Sequence, residues 1–196
     1  MKIVGLTGGI GSGKTTVANF FAENKNVAIY IADVEAKKLM NSSEIIKQKL
    51  IKNFGKESYI DNVLNRKFIA NLVFNNKEKL SELNAIVHPE VKKHFQEFIK
   101  KNNDKDYIIY ENAILFESKS NLYCNIIITV YADIDTKINR VISRDSSTKK
   151  EVLNRMQNQW KDNKKIIQSN YIILNKNLDE TKIKVSKIHH ILTVSF

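Results

Sequence analysis

The chain is poor in the residues that usually cross-link, kink or turn a polypeptide. Of its 196 residues only Cys124 is a cysteine and only Pro89 a proline. One thiol excludes an intramolecular disulfide, a cysteine-based zinc centre and a Cys-x-x-Cys redox pair, and it fits a reducing compartment. Hydrophobic runs are short. The longest, around residues 126–132, is interrupted by Thr129 and falls far below the ~20 residues of a bilayer span. Ile3-Val4-Gly5-Leu6 gives way at once to glycines and Lys14, so a signal peptide is not expected. Glycine is scarce, with six in all, yet five fall within Gly5–Gly13. Arginine numbers four against 28 lysines, and Arg140, Arg144 and Arg155 share one short stretch. Residues this rare are expected where asparagine or lysine would not serve.

What is present is a soluble-protein composition, 42% hydrophobic and 27% charged, with a net charge of +11. That excess could serve a nucleic-acid partner. The lysines, however, run through every segment and are not interleaved with aromatics, which reads as a solvated surface. No specific nucleic acid and no membrane partner is expected. The length fits one domain with insertions.

Short β-branched runs at Lys2–Leu6, Val27–Ala32, Tyr107–Glu111, Ile126–Tyr131 and Tyr171–Leu174 read as strands buried on both faces of a parallel sheet. Helical periods fill Lys14–Glu23, Ser43–Phe54, Arg66–Phe74, Lys77–Lys100, Asp135–Arg144, Lys149–Asn158 and Leu178–Leu192. The alternation predicts an α/β three-layer fold. Between Val34 and Asp106 no strand is expected, only helices, and Pro89 should end or kink the long one. A second helical interval, Asp133–Asn170, carries the arginine cluster.

The glycine cluster, Gly8-Gly9-Ile10-Gly11-Ser12-Gly13-Lys14-Thr15, matches G-x-x-x-x-G-K-[ST] between a predicted strand and a predicted helix. Its chemistry explains its residues. Inward-pointing backbone amides need conformations that glycine adopts cheaply, and the helix start adds its positive dipole end. Gly11, Ser12, Gly13 and Lys14 are therefore expected around the phosphates of ATP, with Thr16 adding a contact. The Thr15 hydroxyl is placed to hold Mg²⁺. A dinucleotide fingerprint is excluded because Lys14 stands where it needs glycine. The guanine-reading N-K-x-D is missed by one residue in Asn175-Lys176-Asn177-Leu178-Asp179, and no glycine follows Gly55 for a D-x-x-G. A small kinase fits best.

Asp33 closes the second predicted strand, where a carboxylate could take the proton of an attacking hydroxyl or hold Mg²⁺ through water; the plainer reading is a cap for a helix starting at Val34. Arg140 and Arg144, four apart, share a helix face, as lid arginines that neutralise a transferred phosphoryl group would. The plainer reading there is an ordinary helix paired with Asp145 and Glu151. Glu111 ends the third strand and could be a metal carboxylate.

With these residues in view, the chain resembles the dephospho-CoA kinase family along nearly its whole length. Leu6 to Thr16 resembles that family's phosphate loop, and Ile31-Ala32-Asp33 with Ala36 its D-A-D-x-x-A element. Phe54-Gly55, Arg66, Phe74 and Leu83 to Pro89 resemble its acceptor-binding helices. Ile114-Leu115-Phe116-Glu117 resembles most of P-L-L-F-E, and Arg140 to Asp145, followed by Arg155 and Gln159, its lid. The resemblance implies a cytoplasmic, Mg²⁺-dependent enzyme that moves the γ-phosphoryl group of ATP to the ribose 3′-hydroxyl of dephospho-CoA, the last step towards CoA. It implies a core of 1–33, 107–132 and 171–196, an acceptor-binding region of 34–106 and a lid of 133–170, in a monomer or weak homo-oligomer. Asp33 becomes the base, Lys14 and Arg140 handle transferred charge, Arg144 and Asn175 contact ATP, and His88 and Leu115 line the acceptor cleft. Three positions depart from the pattern: Ala113 for proline, Ile31 for the first aspartate, and Asn177 for a glycine near the adenine, where asparagine tolerates a left-handed conformation. The rivals are another small nucleoside or nucleotide kinase and, in a different class, an ATP-dependent nucleic-acid-binding module.

Overall fold

The computed structural model describes residues 1–73 and 76–194, and strand β1 (Lys2–Thr7) lies at the centre of its main sheet. β2 (Val27–Ile31), β5 (Tyr107–Glu111), β6 (Ile126–Tyr131) and β7 (Tyr171–Leu174) complete it in the order β2-β5-β1-β6-β7, every pairing parallel. The register sets Ile31, Glu111 and Leu6 in one row at the carboxyl edge, just before the chain enters the glycine cluster. β5 is buried at each of its positions, as its unbroken apolar run requires.

Helices α1 (Lys14–Ala22) and α9 (Leu178–Val194) pack together and cover one face of this sheet. Val17, Phe21, Val185 and Ile188 are buried there against Leu6, Ile128 and Val130. Each such side chain contributes about 1.5–3 kcal/mol. The cluster thereby fixes the strand-to-helix connection that carries the glycines. Between β6 and β7 run α6 (Ile134–Asp145), α7 (Lys149–Gln157) and α8 (Asp162–Ile166). Ile138, Val141 and Val152 form a second, smaller cluster, and Ile10 of the glycine segment packs on it. α7 opens with a reciprocal cap between Thr148 and Glu151.

Residues Ala32–Lys101 form a separate compact unit that interrupts the sheet-bearing unit, Met1–Ile31 with Asn102–Phe196. It holds α2 (Ala32–Ser42), α3 (Glu44–Phe54), α4 (Arg66–Val73) and α5 (Lys77–Lys101), the first three packed on α5. Two expectations are corrected here, and of a third, that Pro89 ends or kinks the long helix, the ending is excluded. A two-stranded antiparallel hairpin, β3 (Tyr59–Ile60) with β4 (Val63–Leu64), stands where no strand was expected. Its turn residues Asp61 and Asn62 both have positive φ, 47° and 65°, which suits a two-residue hairpin loop. α5 runs through Pro89 without ending, held by buried Ile86, Val87, Val91 and Phe95 on both sides of it. β2 stops at Ile31, and Asp33 lies inside the first turn of α2 instead of capping a helix from Val34. Phe74, assigned to a helix and to the acceptor region by sequence, lies outside the described residues.

Candidate active site

The glycine segment turns between β1 and α1 with Gly11 at φ 79° and Gly13 at φ 87°. A β-carbon on Gly11 would collide with the Lys137 carbonyl, and one on Gly13 with the Asn175 amide nitrogen. Only glycine fits both. Gly13 leaves α1 without a side-chain cap, and the first turn of α1 holds no acidic residue. Its amides are thus unopposed, which is the electrostatic requirement for an anion. Lys14 is buried, and its ammonium donates to the Gly9 carbonyl at 3.3 Å.

Side chains from three later segments hold this loop. The Ser12 carbonyl accepts from Asn175 Nδ2 at 2.9 Å and from Arg140 at 3.4 Å, and the same guanidinium donates to the Asn175 carbonyl at 3.0 Å. Gln159 Oε1 accepts from the Ile10 amide at 2.9 Å, and Asp162 Oδ1 from the Gly9 amide at 3.3 Å. The other oxygen of Asp162 pairs with Lys137. Behind that turn, the fully buried Lys165 pairs with Glu117 at 3.0 Å and donates to the Ala113 carbonyl. Glu117 in turn accepts from the Trp160 amide at 2.7 Å, and the Trp160 ring stacks on Phe116 with centroids 5.8 Å apart. A cavity of about 520 Å³ opens beside Gly9, walled by Tyr131, Asp133, Lys137, Trp160 and Asp162 among others.

The sequence-predicted residues fall into distinct groups. Gly11, Ser12, Gly13, Lys14, Arg140 and Asn175 meet at the loop. Thr15 is exposed at the start of α1, and its hydroxyl donates to Glu111 Oε2 at 3.1 Å; Thr16 is half-buried beside it. Arg144 is turned away, its guanidinium on Asp145 at 2.7 and 3.1 Å. With Arg155 adding a third bond, Arg144 holds the Asp145 carboxyl at about 2. Leu115 is fully buried, against Gly5. In the second unit, Asp33 is exposed on α2 and His88 half-buried on α5. Burial pushes the His88 imidazole below its ordinary range, and the Asp33 charge opposes that shift.

Near β7, Asn175 has a bracing role beside its expected ATP contact, and the reading of Asn177 changes. Asn175 is almost wholly buried, its amide on the loop and its oxygen accepting from Thr181 at 3.2 Å, so it braces the cradle. Asn177 is not left-handed; its side chain accepts from the Asp179 and Glu180 amides at 2.8 and 3.1 Å and caps α9. Sequence reasoning missed Lys137, Asp162 and Lys165. The available signal was spacing: Lys137 precedes Arg140 by three residues and so shares its face.

Comparison with known proteins agrees with this geometry. The family model described as dephospho-CoA kinase matches residues 2–180. A dephospho-CoA kinase of Fusobacterium nucleatum is 35% identical over 189 residues, covering 95% of this chain and 96% of that protein. One of Bacteroides fragilis is 33% identical over 172 residues, 88% of this chain and 83% of that one. A solved structure from Thermus thermophilus superposes with TM-score 0.84 at 27% identity, covering 96% of both chains. A shikimate kinase from Acinetobacter baumannii, at TM-score 0.53 and 15% identity over 98% of this chain and 93% of that one, shares the fold alone. A phosphate cradle of this build, in a chain matched along nearly its full length, belongs to the dephospho-CoA kinase family.

Proposed function

We propose that this protein transfers the γ-phosphoryl group of ATP to the ribose 3′-hydroxyl of dephospho-CoA, yielding CoA and ADP. The observation that carries the reading is the loop itself: left-handed glycines, a buried Lys14 and an acid-free helix start converge on one place. Charge on the transferred group spreads over its equatorial oxygens, so positioned cations and amides do most of the work. Lys14 serves the β and γ phosphates, and Arg140, already at the loop, serves the phosphoryl group from the lid, which spans 133–170. The acceptor oxygen forms its bond to phosphorus as the bridging oxygen leaves with ADP, and Asp33 takes the hydroxyl proton. Residues 34–106 bind the acceptor, with His88 shaping its cleft; Leu115, expected to line it, is fully buried against Gly5 and backs β1 instead.

Mg²⁺ is the metal such chemistry uses, and the donor set suits it. Thr15 Oγ1 and Glu111 Oε2 are hard oxygens 3.1 Å apart, and Mg²⁺ binds through one or two protein oxygens plus phosphates and water. When bound it neutralises phosphate charge; Thr15 would hold it, with Glu111 behind. Among the described residues no helix is long and apolar enough to cross a membrane. We place the enzyme in the cytoplasm, as a monomer or weak homo-oligomer.

A coupled ADP-release assay tests the reading, with dephospho-CoA set against a panel of nucleosides and nucleoside monophosphates. Turnover with dephospho-CoA at least about a hundredfold above the panel is expected, since a site built to hydrogen-bond its acceptor discriminates strongly. Preference for a nucleoside would overturn it.

A further inference from the structure

The front of the phosphate loop already has its hydrogen-bond partners. The amides of Gly9 and Ile10 donate to Asp162 and Gln159, which flank Trp160 in the turn between α7 and α8. That turn is fixed from behind, with the Trp160 ring stacked on Phe116 and its amide held by Glu117, itself paired with buried Lys165. Gln159 and Asp162 are thus aimed at the loop by a braced support, and Lys137 steadies Asp162 from α6 with only 9% of its own side chain exposed.

Two consequences follow from the bonding pattern. Buried amides need partners, and a glycine-rich loop without them would sample other shapes. With the Gly9 and Ile10 amides taken by side chains and the Ser12 amide by the Gly9 carbonyl at 3.1 Å, the loop amides left to a polyphosphate are those of Gly11 and of Gly13 onward. Gly9 is also held at both ends: its amide by Asp162, its carbonyl by the Ser12 amide at 3.1 Å and the Lys14 ammonium at 3.3 Å. The Gly9 carbonyl shares a peptide plane with the Ile10 amide that Gln159 holds, while Asp162 fixes the peptide before it, so the two acceptors together set where Lys14 waits.

We propose that Gln159 and Asp162 are positioning residues for phosphoryl transfer. They hold the Gly9 and Ile10 amides, and through the Gly9 carbonyl they place Lys14 before nucleotide arrives. The inference rests on the phosphoryl-transfer reading above, and it assigns the α7–α8 turn a part in building the cradle.

The test compares Gln159→Ala and Asp162→Ala with Gln159→Glu and Asp162→Asn, which keep an acceptor oxygen. ADP binding is measured by calorimetry, and kcat and KM for ATP and acceptor by ADP release. Each alanine variant is expected to weaken ADP binding and raise the KM for ATP about tenfold, the scale of one amide left without its partner. The KM for acceptor should stay unchanged, and the Glu and Asn variants should remain within about threefold of wild type on that same scale. Gln159→Ala leaves the Lys137–Asp162 pair intact, so it reads out even if Asp162→Ala fails to fold. Wild-type ADP affinity in Gln159→Ala overturns the inference, as does a loss in the conservative variants equal to that of the alanines. A wild-type protein that binds no ADP would instead defeat the functional reading itself.

Discussion

Replacing Gly13 by alanine would put a methyl group where the Asn175 carboxamide nitrogen sits, on a backbone held at φ 87° and ψ 28°. The left-handed conformation costs an L-residue about 1–2 kcal/mol. Displacing Asn175 breaks its 2.9 Å bond to the Ser12 carbonyl and disturbs the one from Thr181, at about 1–3 kcal/mol for buried groups left unsatisfied. Taking about 3 kcal/mol for the two together, a chain of this size should lose roughly 6–12 °C in its melting midpoint. Nucleotide binding should suffer as well, because the residue that moves also braces the cradle. The assay is a thermal melt with and without saturating ADP, in which wild type gains stability by mass action and the variant gains little. Gly9→Ala is the comparison: its backbone carries no positive φ, and the new methyl meets only side-chain ends, Asp162 Oδ1 at 2.9 Å and Lys137 Nζ at 3.4 Å. A smaller shift is expected there. If Gly13→Ala melts within a degree or so of wild type and keeps its ADP-induced gain, the steric argument for the cradle is wrong.

Asp33→Asn should remove most turnover while leaving ADP affinity near wild type, and unchanged turnover would end its role as base. The same variant should move the His88 titration further below its ordinary value, since the charge that opposes the burial shift is gone; proton NMR of the imidazole reads the direction, and an upward shift would contradict it. Because the His88 pKa is lowered on folding, the neutral ring's stability is present above about pH 6.5 and is lost as the pH falls through the folded value. A His88→Gln variant should show a flatter acid limb in its melting curve. Arg140→Lys should cut turnover by about 10² or more despite its conserved charge, because a lysine cannot span Ser12 and Asn175 together. Chelating divalent cations should stop ADP release and leave the protein's melting midpoint in the absence of nucleotide unchanged.

The sheet was legible in the sequence because a strand buried on both faces is written as a nearly continuous apolar run, as the central strands are. Edge strand β7 is written the same way although Ile172 and Leu174 are exposed, so burial on both faces was not met there. The phosphate loop was legible because its glycines answer a local backbone demand, visible within eight residues. What stayed hidden depends on distance along the chain. Gln159 and Asp162 bond amides about 150 residues away; the lid resemblance marked Gln159 but not its partner, and nothing marked Asp162. Lys165 looks like any other lysine of this surface-rich set until its burial is seen. The β3–β4 hairpin was missed because two-residue strands carry no period, although Asp61-Asn62 was a fair turn signal. At Pro89 packing along α5 carries the helix past the residue, so of ending and kinking only the ending is excluded.

The strand order also governs when this protein can fold. β1 pairs with β5 and β6, so the first strand made waits for partners more than a hundred residues later. On a ribosome, the phosphate loop cannot close until residues beyond Tyr131 have emerged. Residues Ala32–Lys101, by contrast, form their contacts within one unbroken stretch. Folding that stretch first replaces seventy flexible residues by a short tether and lowers the entropy cost of bringing β2 beside β5. A region proposed here to receive the acceptor would then also act, during synthesis, as the clasp that lets a long-range sheet assemble.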